Sequence, residues 1–571
     1  MIGPIVIGFL AAAFVALPAR FGGFLESSFP GFVLTAPVFV LAVTGIAMLL
    51  QRFVLDQRPG TRSYDGLADL FIHIHSIANP DSALRWAIRG FNSLLLSFFG
   101  GTVGPEGAAT EFAHSFALKT RSRSSSRFEQ RRRSDAAAAL SAGISAAFGS
   151  PFAAMLVSIE LGIGGPLIPA AVAALAAFVG VKYVFPSGAL APSGFVNLGA
   201  ILNGSPLSWV QWAGVLVIAA TAGIAGAVLT RFIRYVQDNL LELFQTQAWM
   251  RTLTAGVLLF FLILIYRPGH TFPLLGLERV LWGHLPAGEL GVLFFTQCFG
   301  LALVLAGFGT VGLFWPLFVI GGIFGVGVDQ WLFQGIPSFG AIAGLAGSAA
   351  FWGAMLGAPL AAAVLIFEIT SSIPAFLIAI VAAYLARFVV RFLKTPPLID
   401  RDLEARGMAL IDGRSASILD SILIRDAMMT DYETVHEHEP VSEIYSRLLK
   451  SRYPFLPVVT AQGVYKGLLT VDMVQEAWHA QEAAVLKNSA KSSLVRLLEA
   501  KDLLYRSGFK APVAKVSDRL SKTSGLFEDT PCIPVLAEDG HIAGLLFVYN
   551  VRLAYDREVA RRSLSVENRE L

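Results

Sequence analysis

Charge is scarce in this sequence. Only 15% of its 571 residues are Asp, Glu, Lys or Arg, against roughly 25% in a soluble globular protein. That shortage excludes a disordered chain, whose solubility comes from charge and few apolar residues, and a nucleic-acid binder with a broad basic face. Cysteine is scarcer still. Cys298 and Cys532 are the only two, so a disulfide framework is excluded, which fits a reducing compartment for any soluble part. Apolar residues fill the space instead. They make up 55% of the chain, and the mean hydropathy is +0.63. Most of this chain cannot face water, and a polytopic membrane protein is expected.

The shortage is uneven. Residues 1–400 hold 22 Lys and Arg and 17 Asp and Glu, whereas residues 401–571 hold 22 and 24. The net charge of +3 averages a membrane part and a water-soluble part and says little about partners. The opening run MIGPIVIGFLAAAFVALPAR lacks the basic start of a signal peptide and is expected to be retained as a span.

Apolar stretches recur from residue 4 to residue 394, and several are shorter than the ~20 residues of a full crossing. Gly and Pro interrupt them at 100–107 and 312–316. Such breaks predict discontinuous helices around a site at the membrane midplane. The halves also repeat. Gly149-Ser150-Pro151 is echoed 208 residues on by Gly357-Ala358-Pro359, and each Pro is followed nine residues later by an acid, Glu160 and Glu368. The same offset carries Gly104-Pro105-Glu106-Gly107 onto Gly312-Leu313-Phe314-Trp315. Two breaks sharing one offset mark an internally duplicated transporter.

The loop 119–134, KTRSRSSSRFEQRRRS, is basic and short, which predicts a cytoplasmic location and contact with anionic lipid headgroups. The soluble part contains two similar strand-turn-strand-helix units. The first spans 424–478, with Phe455–Val459 and Gly467–Thr470 as strands. The second spans 512–558, with Cys532–Leu536 and Gly544–Phe547.

These motifs resemble the CLC chloride channel and transporter family over about residues 30–405. Gly104-Pro105-Glu106-Gly107 is similar to its G-x-E-G-P motif, and Gly312-Leu313-Phe314-Trp315-Pro316 to its G-x-F-x-P. The segment 149–160 resembles the helix between them, and the soluble part resembles a CBS-domain pair. The fold class implied is a polytopic all-α, inverted-repeat membrane domain with discontinuous helices, followed by a cytoplasmic α/β CBS pair. The expected divisions are a membrane domain over 1–400 with halves near 30–200 and 205–400, and a linker over 401–423. CBS units over 424–478 and 512–558 flank a bridge over 479–511, and a tail covers 559–571.

The resemblance implies transport of chloride or a related anion by a homodimer in a lipid bilayer, with no nucleic-acid partner and no required cofactor. It places the chain in a bacterial inner or plasma membrane. Physical reasoning points the same way. Helix ends inside a membrane present free N–H groups and a positive dipole end, which hold an anion without a fixed cation that would hinder its release. By resemblance, Glu106 is the gating glutamate. The anion would be held at Gly104, Pro105, Gly107, Gly312, Leu313 and Phe314, with the Leu313 and Phe314 N–H groups as donors. Reading Gly101–Pro105 as the motif would put Val103 at the gate, but it breaks the 208-residue offset.

Other positions depart from the family pattern. The internal proton-carrying glutamate falls on Leu161. The inner-gate tyrosine falls on Ile399. The early serine motif falls on 59–66, where gapless counting gives Asp65 and a shifted register gives Ser63 or Thr61; Ser63 is taken as the anion contact. An adenine nucleotide at Thr470 and Asp472 is a further option. Keeping Glu106 while losing the internal glutamate favours a gated passive channel, with proton-coupled exchange as the alternative. A CBS-regulated magnesium transporter is more distant, since residues 290–367 offer only Asp329 as an acid. No catalytic constellation or metal site is expected; His73 and His75 point to different sides of a helix.

Overall fold

Each Gly/Pro break becomes the start of a helix. The structure, a computed structural model, describes residues 2–28, 32–50, 66–75, 83–98, 101–119, 128–163, 167–185, 202–203, 207–244, 248–265, 285–333 and 339–400. It also describes 410–411, 414–415, 421–448, 454–486, 498–507, 511–523, 526–528, 530–551, 553–554 and 557–558. The chain divides into two units, one of Met1–Ser122 with Gln130–Glu404 and one carrying Ser415–Leu571.

The first unit is built of helices joined by short loops. Its helices are α1 (Ile2–Ser28), α2 (Phe32–Leu50), α3 (Gly66–His75), α4 (Ala83–Phe98), α5 (Pro105–Lys119), α6 (Phe128–Phe148), α7 (Pro151–Glu160) and α8 (Leu167–Val179). There follow α9 (Trp209–Leu243), α10 (Ala248–Ile265), α11 (Ala287–Gly307), α12 (Phe314–Leu332), α13 (Phe339–Phe351), α14 (Pro359–Thr370) and α15 (Ile373–Phe392). Among the described residues, six stretches are long and apolar enough to cross a membrane: α8 with its π-helical extension to Val184, α9, α11, α12, α13 extended to Leu356, and α15.

Proline explains where the short helices begin. Pro105, Pro151 and Pro359 each occupy the first helical position, where the missing N–H costs nothing and φ is already helical. Gly149 and Gly357, just before two of these starts, lie in the left-handed region at φ 65° and 75°, a conformation glycine adopts without a Cβ clash. Shifting α5–α8 by 208 residues brings them onto α12–α15, with Glu106 falling on Phe314, the first residue of α12.

Small residues set the packing between helices. A Cβ on Gly321 of α12 would run into the Gly347 carbonyl of α13, and one on Gly347 into the Gly321 carbonyl. The backbones therefore touch, as small residues permit in a bilayer where no hydrophobic force distinguishes protein from lipid. Helix α9 begins at a capping box, Ser208 with Gln211, which satisfies two otherwise free donors.

The second unit repeats one module. In the first copy, β1 (Val435–His436) pairs parallel to β2 (Phe455–Val459), which pairs antiparallel to β3 (Tyr465–Thr470). In the second, β4 (Ala514–Lys515), β5 (Cys532–Leu536) and β6 (Ile542–Phe547) pair in the same way. The registers match residue for residue: Pro457 faces Leu468 and Pro534 faces Leu545, and each central strand is irregular at its last step. Residues 424–429 reach across to the second sheet, where Met429 and Leu545 exchange both backbone hydrogen bonds at 2.8 and 2.9 Å. The second sheet is thus extended by a segment that precedes the first module.

Candidate anion site

Glu106 sits in the first turn of α5 and is wholly buried. Its carboxylate crosses to the other half of the molecule. Oε1 accepts the Trp315 N–H at 3.0 Å, and the Phe314 N–H also interacts with it. The carboxylate therefore caps the N-terminus of α12, where the helix dipole and free N–H groups favour negative charge. Oε2 accepts no hydrogen bond among the described residues.

Glycines make this approach feasible. Gly104 donates its N–H to the Gly312 carbonyl at 2.9 Å. A Cβ on Gly107 would meet the Gly312 backbone, and a Cβ on Gly104 would meet the Glu106 carboxylate itself. Gly104, Pro105, Gly107 and Gly312 are thus brought together with Glu106 at one crossing of the two halves. Around it packs an aromatic wall. Phe148 lies 5.0 Å from Trp315 and 5.6 Å from Trp352 between ring centroids, and the Trp352 indole N–H donates to the Phe314 carbonyl at 2.8 Å. That bond ties the first carbonyl of α12 to the end of α13.

The Leu313 N–H is turned elsewhere. It donates to the Val311 carbonyl at 2.9 Å, so the N–H groups that meet the Glu106 carboxylate are those of Phe314 and Trp315 rather than of Leu313 and Phe314. Leu313 contributes through its side chain. A cavity is lined by Leu313, Thr310, Gly66, Gln237, Leu398 and Ile399. Ile399 is buried there, and its aliphatic side chain offers an anion no donor. Ser63, Thr61 and Asp65 lie outside the described residues, although Gly66, next in the chain, lines the cavity. Residues 120–127 of the basic loop and the side chains of His73 and His75 also fall outside.

Thr310 and Gln237 were not singled out by sequence reasoning, and nothing local marks them. From the sequence Glu111 reads as a solvated or paired acid, with a proton relay as the alternative, and the structure pairs it. Glu111, one turn beyond Glu106 on α5, is wholly buried. It accepts the Val311 N–H at 3.2 Å and the Ser93 hydroxyl at 2.6 Å, and Arg89 stands 3.7 Å away. Arg89 also pairs with Asp69 at 2.7 Å and donates to the Gly309 carbonyl at 2.9 Å.

Two further helix starts are already filled by carboxylates. Glu160 accepts the Leu360 and Ala361 N–H groups at 3.0 and 2.7 Å, closing the start of α14. Glu368 accepts those of Phe152 and Ala153 at 3.1 and 2.8 Å, closing the start of α7. Leu161, next to Glu160, is buried and carries no proton. In the second unit the Thr470 hydroxyl accepts the Met473 N–H at 3.4 Å as a helix cap, and Asp472 lies in the first turn of that helix.

Comparison with known proteins agrees with this arrangement. Residues 46–391 match the family model described as voltage gated chloride channel, and residues 424–479 match the CBS domain. No curated protein matches the chain. Among solved structures, a eukaryotic CLC transporter is similar with a TM-score of 0.63 and 18% identity, over 96% of this chain and 97% of that one. A slow cyanobacterial Cl−/H+ antiporter gives 0.57 and 18%, over 71% and 97%. A CLC-type fluoride/proton antiporter gives 0.52 and 18%, over 68% and 94%. At these identities the likeness establishes the fold.

Proposed function

Because the chain belongs to the voltage-gated chloride channel family, we propose that it is a gated, passive chloride pathway whose gate is Glu106. The observation that carries this reading is the Glu106 carboxylate on the Trp315 N–H at the start of α12. An ionised side chain there occupies the place an anion would take. Protonation removes its charge and most of its hold on the dipole, and chloride then competes successfully for the same N–H groups. No Lys or Arg lies between residues 290 and 367, so a bound anion is held by partial charges and can leave.

Leu161 favours passive flow. Proton-coupled exchange needs a second carrier on the proton's route, and an aliphatic side chain there supplies none. The rival reading, exchange, draws on two of the similar structures being antiporters. In this proposal the protein works as a homodimer with one pathway per subunit, and the second unit is a cytoplasmic modulator.

One experiment separates the two readings. The protein is reconstituted in liposomes under an outward chloride gradient, with internal pH recorded. Chloride moves down its gradient and pH stays level if the pathway is passive. Uphill proton movement sinks the channel reading and supports exchange. Glu106→Gln should abolish the pH dependence of chloride flux while the flux persists.

A further inference from the structure

We infer that Thr310 becomes a hydrogen-bond donor to the anion in the Leu313–Ile399 cavity when Glu111 carries a proton, so that proton and anion bind cooperatively at a second place besides the gate. The inference rests on the reading that this cavity takes the anion. It assigns roles to three residues, Glu111, Ser93 and Thr310, that the gate does not use.

The argument is a count of protons. Ser93 Oγ is placed to donate both to Glu111 Oε2, at 2.6 Å, and to Thr310 Oγ1, at 2.7 Å, and cannot do both at once. Thr310 Oγ1 also receives the Gly312 N–H at 3.0 Å. A hydroxyl has one proton to donate. With Glu111 ionised, the carboxylate can only accept. Ser93 then gives its proton to Glu111, and Thr310 gives its own to Ser93. Thr310, which lines the cavity, has no donor left for an anion.

Protonation reverses the chain. A hydronium ion in the cavity hands its proton to Thr310 Oγ1. Thr310 passes its former proton to Ser93, and Ser93 passes its own to Glu111 Oε2. Three O–H bonds form and three break, and the sum is hydronium plus carboxylate giving water plus carboxylic acid. Afterwards Glu111 donates to Ser93 and Ser93 donates to Thr310. The new Thr310 proton faces the cavity from which it came. Neither Ser93 nor the Gly312 N–H can accept it, and a cavity anion can. Linkage requires the converse, that a bound anion favours the proton on Glu111.

The surroundings of Glu111 are heavily biased. Arg89 from α4 stands 3.7 Å away and is shared with Asp69 from α3. The Val311 N–H approaches from the loop before α12. On α5 itself, His114 packs edge-on against Trp86, 4.6 Å between centroids. Arg89 is thus shared between two carboxylates, which leaves room for a proton on one of them.

The test removes the gate first. Chloride binding to full-length Glu106→Gln protein in detergent is measured by calorimetry at acidic and alkaline pH. Affinity should fall as pH rises. Adding Thr310→Val should weaken binding at acidic pH by about tenfold, the worth of one hydrogen bond to a charged group, and Thr310→Ser should restore it. Adding Ser93→Ala frees the Thr310 proton at every pH and should hold affinity high at alkaline pH. Adding Glu111→Gln, whose amide donates to Ser93 permanently, should do the same. Unchanged acidic affinity in the Thr310→Val protein, or undiminished pH dependence in the Ser93→Ala and Glu111→Gln proteins, overturns the inference. Absence of any chloride flux in the Glu106→Gln parent would instead strike at the transport reading, and the inference would fall with it.

Discussion

Glu160 accepts the Ala361 N–H at 2.7 Å, and the same bond recurs with the halves exchanged, Glu368 accepting from Ala153 at 2.8 Å. Each carboxylate ends one helix and caps the start of its counterpart. Reciprocal contacts between positions 208 residues apart are what a two-fold relation between duplicated halves produces. The two helix starts are therefore sealed by the protein's own carboxylates. The sealing also joins the halves where α7 and α14 meet.

Removal of one seal should loosen that junction. A hydrogen bond to a charged group contributes about 1.5–3 kcal/mol when buried, and less here, where both carboxylates are half-buried. Glu160→Ala leaves the Leu360 and Ala361 donors without a partner and should lower the thermal unfolding midpoint in detergent markedly. Glu160→Gln keeps an acceptor and should lower it less. Glu368→Ala should match Glu160→Ala, because the geometry is the same. A difference between the two alanine variants as large as their individual effects would mean the halves are not equivalent here.

Gly104 offers a way to move the gate without touching it. A Cβ at this position would collide with the Glu106 carboxylate. The carboxylate is the end of a flexible side chain, so it yields before the backbone does. Gly104→Ala should therefore displace Glu106 from the Trp315 N–H and raise chloride flux at neutral pH toward the level of Glu106→Gln, with the pH dependence flattened. Liposome flux across a pH series checks it. A flux that falls, or keeps its full pH dependence, would mean the carboxylate has no room to leave.

Ile399 should control passage from the other side of the cavity. It is buried and shares the cavity with Leu313. Ile399→Trp should fill that space and lower chloride flux steeply at every pH, while the pH at half-maximal flux stays where it was. A shift of that midpoint would show Ile399 acting on Glu106 rather than on the pathway.

The fold was readable because its punctuation is local. Pro105, Pro151 and Pro359 begin helices wherever they stand, and the 208-residue offset exposed the duplication before any contact was known. The strands Phe455–Val459 and Cys532–Leu536 were bounded by turn residues and came out at those limits. What stayed hidden depends on distant partners. The role of Glu160 could not be read, because its partners, Leu360 and Ala361, lie 200 residues away. Leu313 seemed a donor because it precedes Phe314, but its N–H bends back to Val311. Thr310 has no sequence signal, since a threonine in a loop acquires a role only from Ser93 and Glu111 reaching it.

The second unit contains a proton-sensitive latch. His541 joins the turns of the two modules: its Nε2 meets the Gln462 carbonyl at 2.8 Å, its Nδ1 lies 3.0 Å from Asp539, and the Tyr465 N–H donates to the Gly540 carbonyl at 3.2 Å alongside. The Gln462 carbonyl and the Asp539 carboxylate both favour the imidazolium, which raises the His541 pKa above its ordinary value. A raised folded-state pKa stabilises the folded protein fully below the unfolded value of about 6.5. That contribution is lost as pH rises through the folded-state value. Hydrogen exchange at the Tyr465 amide reads the latch directly, after correction for the intrinsic pH dependence of exchange. Protection should be greatest on the acidic side and decline as His541 deprotonates. In His541→Asn it should be lower on the acidic side and show no such decline. Equal protection in both proteins at acidic pH would mean the turns are held by the backbone bond alone.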